Sequence, residues 1–312
     1  MLKYPGRYVK EKARIERTLS RAISLATYAV ALGIAALVVQ AVNPDRALVL
    51  LGIGTVTATV VVFAVSVSVD NSSVYDPYWS LQPLAIALYY VGARWGDLSA
   101  RQIVVTALVF LYSVRLTTNF YRDWPGLSKE DFRYQAFRAR AGRAYWPVSF
   151  VGIHLVPTII VYLGCLPLYA VSRPGGTGLN WADGAGIVVL LGAVVLAFVA
   201  DEELRVFRRD PLNRGRCIES GLWVYSRHPN YLGEIAAWWG LWLFALGAGL
   251  RWWWTVIGAV SVTLLFVSFS VPMMERRALA TREGYRSYRE RTPMLIPRPR
   301  RVTVADMDSP GS

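Results

Sequence analysis

The stretch SRHPNYLGE, residues 226 to 234, sets an imidazole, a guanidinium, a carboxamide, a phenol and a carboxylate directly ahead of the apolar run IAAWWGLWLFALGAGL. Pro229 pre-sets the first turn of a helix, with Ser226 or His228 available as its cap. The unsatisfied N–H groups of such a turn carry partial positive charge and attract phosphate. Asn230 and Glu234, four residues apart, line one helical face with Tyr231 beside them, and Glu234 falls about one turn into the apolar run. A lone histidine at a membrane surface is commonly interfacial, but this many polar types ahead of a hydrophobic helix read as a site.

Three further clusters place polar groups where hydrocarbon would reject them. In DNSSVYDPYWS, 70–80, Asp76 precedes a proline, which predicts an extended residue whose carboxylate caps the next helix, with Tyr78 and Trp79 at the membrane interface. In YSVRLTTN, 112–119, Tyr112, Arg115 and Asn119 recur at i, i+3 and i+7 and share a face. An arginine there snorkels, pairs with an acid, or holds an anionic ligand. In DEELRVFRRDP, Asp201, Arg205 and Arg208 share a face, suited either to gripping phosphate or to a salt-bridged helix end.

The elements that must position these groups are membrane helices. The chain has 312 residues, 54% of them hydrophobic, yet a formal net charge of +13. Apolar runs at 22–42, 48–69, 77–93, 102–120, 147–171, 182–203, 231–248 and 253–272 predict an all-α, polytopic bundle of seven or eight spans. With residues 1–21 cytoplasmic, 28 of the Lys and Arg residues fall on that side and five on the other, so both termini are expected in the cytoplasm. The charge is then topology, and nucleic-acid binding loses its motive. The first run follows a basic stretch without a small-residue cleavage site and reads as a retained span. Cys165 and Cys217 form neither a disulfide framework nor a zinc pattern, and no metal site is expected. GGTG at 175–178 has no strand before it and reads as a connection rather than a phosphate loop, and 299–312 has the composition of a disordered tail.

The set NSSVYDPYWS, VRLTTNFYRDW, EDFRYQAFR, DEELRVFRRDP, GLWVYSRHPNYLGE followed by WWG, and VPMMERRALATREGYRSYRERTPMLIP resembles a bacterial family of integral membrane proteins related to steroid 5-alpha-reductases. The resemblance covers residues 50–298; residues 1–49 hold a basic start and a family-variable first span. The wider superfamily also contains S-adenosylmethionine-dependent isoprenylcysteine and phospholipid methyltransferases with a related RHP motif. Those carry a Glu-Glu pair before the last helix, whereas here Glu275 is followed by Arg276, which favours the reductase branch.

That branch implies NADPH as cofactor and a lipid-soluble substrate entering from membrane lipid, and the location expected is a multi-pass membrane position, the inner membrane if the protein is bacterial. Carried over by motif position, Asp201, Arg205, Arg208, Arg227, His228, Asn230, Tyr231 and Glu234 would contact the dinucleotide, with Arg115 and Asn119 also on the cofactor side. Tyr285, Tyr288 and Arg289 would close over it. Tyr112 matches the tyrosine that hydrogen-bonds the enone carbonyl; the glutamate that partners it in steroid reductases has no counterpart at the corresponding place here, and Asp76 is the expected substitute that orients Tyr112. Methyl transfer to a lipid or prenylated thiol, and non-catalytic lipid binding, are the competing expectations; a transporter is disfavoured because no inverted repeat is evident.

Overall fold

The computed structural model describes residues 5–41, 47–174 and 178–298, with side chains from residue 14 onward. The expected tail 299–312, Arg46 of the charge tally and residues 175–177 of the GGTG stretch lie outside the described residues. All regular structure among the described residues is helical: α1 Pro5–Ala41, α2 Ala47–Ser68, α3 Tyr78–Ala93, α4 Ala100–Asp123, α5 Phe132–Ala141, α6 Tyr145–Ser149, α7 Val156–Gly164, α8 Leu166–Ser172, α9 Trp181–Arg209, α10 Pro229–Ala248, α11 Val256–Leu265, α12 Val271–Thr281 and α13 Tyr285–Arg291. The chain divides into two compact units, Met1–Pro174 and Gly175–Ser312.

Each expected apolar run falls on a helix. Six helical stretches are long and apolar enough to cross a bilayer: Arg14–Ala41, Ala47–Ser68, Ala100–Asp123, Phe132–Ser172, Trp181–Arg209 and Leu250–Thr281. Helix α3 has 16 residues, about 24 Å at 1.5 Å per residue and short of a hydrocarbon core of about 30 Å. Helix α10 has 20 residues, but its polar opening turns and its tryptophans dilute its apolar character. The protein is an all-α, multi-pass integral membrane protein.

In the first unit α1 packs along α2, and α3 packs against α4. The first span is part of the core: Tyr28 is buried with Tyr75, Tyr78 and Tyr134, and its hydroxyl donates to the Val74 carbonyl at 2.6 Å. Tyr78 is therefore a core residue and not an interfacial one, contrary to expectation, because a phenol able to reach the Thr55 carbonyl at 3.3 Å is satisfied inside. A π-helical turn, Phe150–Leu155, interrupts the long run between α6 and α7; such turns recur at functional positions.

The second unit is built on the pairing of α9 with α10, its most extensive contact. Gly233, Gly240 and Gly247 repeat every seventh residue along α10. A Cβ at Gly233 would lie 2.7 Å from the Ala193 carbonyl oxygen, and one at Gly240 would lie 2.8 Å from the Leu190 nitrogen. Backbones this close are how helices associate in lipid, where burial of apolar surface gives no driving force. The consequence is positional: the end of α9 and the start of α10 are held together, and both carry the polar motifs.

Candidate functional site

In the second unit Pro229 occupies the first turn of α10 as expected, with His228 at the cap position, but neither proposed side chain caps that turn. Ser226 Oγ instead accepts the His228 N–H at 3.3 Å. Asn230 Nδ2 donates to Asp201 Oδ1 at 3.0 Å, joining the two motifs. The His228 and Tyr231 rings stack at 5.4 Å with 13° between planes, and Tyr231 meets the edge of Phe266 at 5.0 Å. Phe266 opens a second π-helical turn, Phe266–Ser270. Glu234 is buried. Arg205 is buried too and pairs with Glu202 at 2.5 Å, whereas Arg208 is exposed.

Two long-range ties were not legible. Glu275 Oε1 accepts Arg227 Nε at 2.7 Å and lies 3.3 Å from His228 Nε2, while Arg289 Nε stands 3.9 Å from Glu275 Oε2. An ionised carboxylate accepts, so Nε2 of His228 carries the proton in this pair. Arg227 also donates through its guanidinium to the Arg289 carbonyl at 2.9 Å and to the Thr292 carbonyl, and its backbone N–H reaches the Pro293 carbonyl at 2.9 Å. Tyr288 is buried and donates to the Trp223 carbonyl at 2.6 Å. Tyr288 thus acts as a tie between α13 and the loop before α10. Tyr285 is buried beside it, and burial together with the Glu275 charge pushes its phenol up to about 12.

In the first unit Tyr112 and Arg115 are buried on α4, with the guanidinium carbon 5.8 Å from the Tyr112 ring centre. Asn119, one turn further on, is half-buried. The expectation for Asp76 is corrected on two counts. The 3-10 turn Ser72–Tyr75, capped by Asn71, carries the chain into helical space, so Asp76 is αR (φ −56°, ψ −44°) and not extended. Pro77 then leads into α3 with no side-chain cap. The carboxylate goes elsewhere: Tyr134 donates its hydroxyl to Asp76 Oδ1, and Arg133 stands 3.8 Å away. The phenol that Asp76 orients is Tyr134, not Tyr112.

Behind this pair runs a chain of buried hydroxyls. Tyr145 OH donates to Glu130 Oε1 at 2.9 Å, Ser72 Oγ lies 2.7 Å from Tyr145 OH, and Ser149 Oγ lies 2.9 Å from Ser72 Oγ. His154 closes it, between the Ser149 carbonyl at 3.0 Å and Ser66 Oγ at 3.1 Å. Such a satisfied network fixes the 70–80 segment in one geometry.

Burial pushes the Asp76 carboxyl up to about 7; the Asp131 and Glu130 charges add to this, while Arg133 and the Tyr134 hydroxyl oppose it. With an ordinary value of 3.8, the folded protein binds more protons than the unfolded chain between about pH 4 and pH 7. Stability from this group is therefore full below about pH 4 and lost as pH rises through about 7. A melting-temperature series across that range is expected to decline for the wild type, and Asp76→Asn is expected to remove this part of the slope. An unchanged slope in the variant would assign the titration elsewhere.

Among the described residues no cluster of His, Cys, Asp and Glu could hold a metal ion. Cys165 and Cys217 are both free thiols.

A multi-pass helical protein with a charged motif at the start of an apolar helix is the class that this geometry defines. The chain belongs to the family described as a protein of unknown function, DUF1295, whose model matches residues 62–292. It is also similar to the uncharacterized protein C594.04c of Schizosaccharomyces pombe, 27% identical over 263 residues that cover 76% of each chain. A fission-yeast relative lends no support to the bacterial character that the resemblance carried. No solved structure matches the chain significantly.

Proposed function

We propose that the protein is a membrane-embedded, NADPH-dependent reductase of a carbon–carbon double bond conjugated to a carbonyl in a lipid-soluble substrate. The basic segments 1–21, 121–145, 205–230 and 273–312 would face the cytoplasm, where a charged cofactor is found. The observation that carries the reading is the corner formed by the α9 end, the RHPN turn and the C-terminal segment. It gathers a helix-start dipole, an Asn–Asp pair, stacked His228 and Tyr231, and the half-exposed Arg289 beside Glu275. Those donors fit a dinucleotide: cations and N–H dipoles suit phosphates, and aromatic faces suit bases.

When bound, NADPH supplies the hydride for the β carbon of the enone. The chain's own residues hold the cofactor and supply the proton. Arg208, Asn230, Tyr231 and Arg289 are the groups assigned to cofactor binding, with Asp201 orienting Asn230. Tyr112 is assigned as the donor to the carbonyl oxygen, where a buried phenol stabilises developing negative charge better than water would. Asp76, hydrogen-bonded to Tyr134 and with its carboxyl raised by burial to about 7, is assigned to return the proton through that phenol.

The test is thermal stabilisation of detergent-purified protein by NADPH, NADH and S-adenosylmethionine side by side. A ligand that binds only the folded state stabilises it by about 2.7 kcal/mol at a hundredfold excess over Kd. NADPH is expected to raise the melting temperature most. A shift with S-adenosylmethionine alone would assign the corner to methyl transfer, and no shift with any of the three would favour a non-catalytic lipid binder.

A further inference from the structure

Glu275 is the sole acid between Glu234 and Glu283, and it stands where the apolar run gives way to Arg276 and Arg277. Three basic side chains from two distant segments converge on it, and they are not equivalent. The Arg227 side chain is 10% exposed and donates to the carboxylate and to two backbone carbonyls. A guanidinium so enclosed cannot turn toward a phosphate without breaking buried, charge-assisted bonds. Arg289 is 51% exposed, and its 3.9 Å approach to Glu275 is an ion-pair distance without hydrogen-bond geometry. Its charge faces solvent while a fixed carboxylate sets its direction.

The loop and the C-terminal segment are tied at several points besides. Glu283 N–H reaches the Gly215 carbonyl at 2.8 Å, Ser226 Oγ reaches the Met294 carbonyl at 3.4 Å, and Arg291 pairs with Glu219 at 2.9 Å. Glu275 lies where the RHPN turn and α13 meet, bonded to Arg227 and beside Arg289.

We propose that Glu275 is a positioning residue of the cofactor site: it clasps the Arg227 loop to the C-terminal segment and presents Arg289 as the cation that takes an anionic group of the bound dinucleotide. Arg227, expected from the motif to contact the cofactor, belongs to the clasp. The inference rests on the reading of this corner as an NADPH site.

A double-mutant cycle tests it on the full chain in detergent, with affinity for NADPH read from thermal shift and the wild type measured first. Glu275→Gln keeps an oxygen for Arg227 Nε and removes the charge; Arg289→Gln removes the cation. Each single change is expected to weaken NADPH about tenfold, and the double change no more than either alone, because coupled groups in one network are non-additive. Glu275→Asp is expected to restore part of the affinity, and carries the cycle should Glu275→Gln not fold. Additive losses, or NADPH bound as tightly by Glu275→Gln as by the wild type, would overturn the positioning role and leave the cofactor reading standing. No stabilisation of the wild type by NADPH would remove the cofactor reading itself, and this inference with it.

Discussion

Arg227→Ala is expected to destabilise the second unit by about 3–5 kcal/mol, the usual cost of breaking a buried ion pair from one side. The carboxylate of Glu275, 12% exposed, would lose its nearest cation. The carbonyls of Arg289 and Thr292 would lose their donor as well. The Arg289 carbonyl can turn to water, but the carboxylate and the Thr292 carbonyl are largely enclosed and are re-solvated only in part. Arg289→Ala removes the same chemical group only 3.9 Å from the same carboxylate, yet it is half exposed, and its expected cost is under about 1 kcal/mol. Denaturant or thermal unfolding of the two variants in detergent distinguishes them. Equal costs would mean that Arg227 is a surface cation, and would remove the clasp described above.

What spacing revealed and what it hid follow from the same physics. Hydrocarbon tolerates few polar groups, so the four clusters stand out in one dimension, and every apolar run lies on a helix. The motif of residues 226–234 was legible because its residues are contiguous and open a helix at a proline. Its partner Glu275 was not, since 48 residues separate it from Arg227 and VPMMERR reads as an ordinary amphipathic helix end. Isolation among apolar residues was the available signal: an acid with no other acid for some forty residues on one side needs a cation from elsewhere in the chain.

Asp76 shows the complementary failure. The preference of a residue before proline for extended backbone is local, and the Asn71-capped turn together with the Tyr134 hydroxyl outweighed it. Tyr134 lies in EDFRYQAFR, a stretch to whose residues the sequence assigned no role. The tie between it and Asp76 spans 58 residues, and no periodicity encodes that.

Tyr112→Phe is expected to lower turnover of an enone lipid by about 10²–10³, the loss typical of one donor at a developing oxyanion. The change deletes one oxygen and keeps a buried ring on α4, next to the Arg115 guanidinium. Ring packing is preserved, and the melting temperature of the variant separates a loss of stability from a loss of turnover. NADPH should stabilise the variant as it does the wild type, since Tyr112 is assigned to the substrate carbonyl and not to the cofactor. The measurement is NADPH oxidation with a panel of lipid-soluble enones, set beside the thermal shift on the same preparation. Tyr134→Phe belongs in the same experiment, because Tyr134 is the phenol that Asp76 holds. Lost turnover in Tyr112→Phe with a modest effect in Tyr134→Phe assigns the donor to Tyr112 and leaves the Asp76 pair a role in returning the proton. The reverse pattern transfers the donor role to Tyr134. That result would mean that the hydrogen bond, and not the motif position, identifies the acid in this chain.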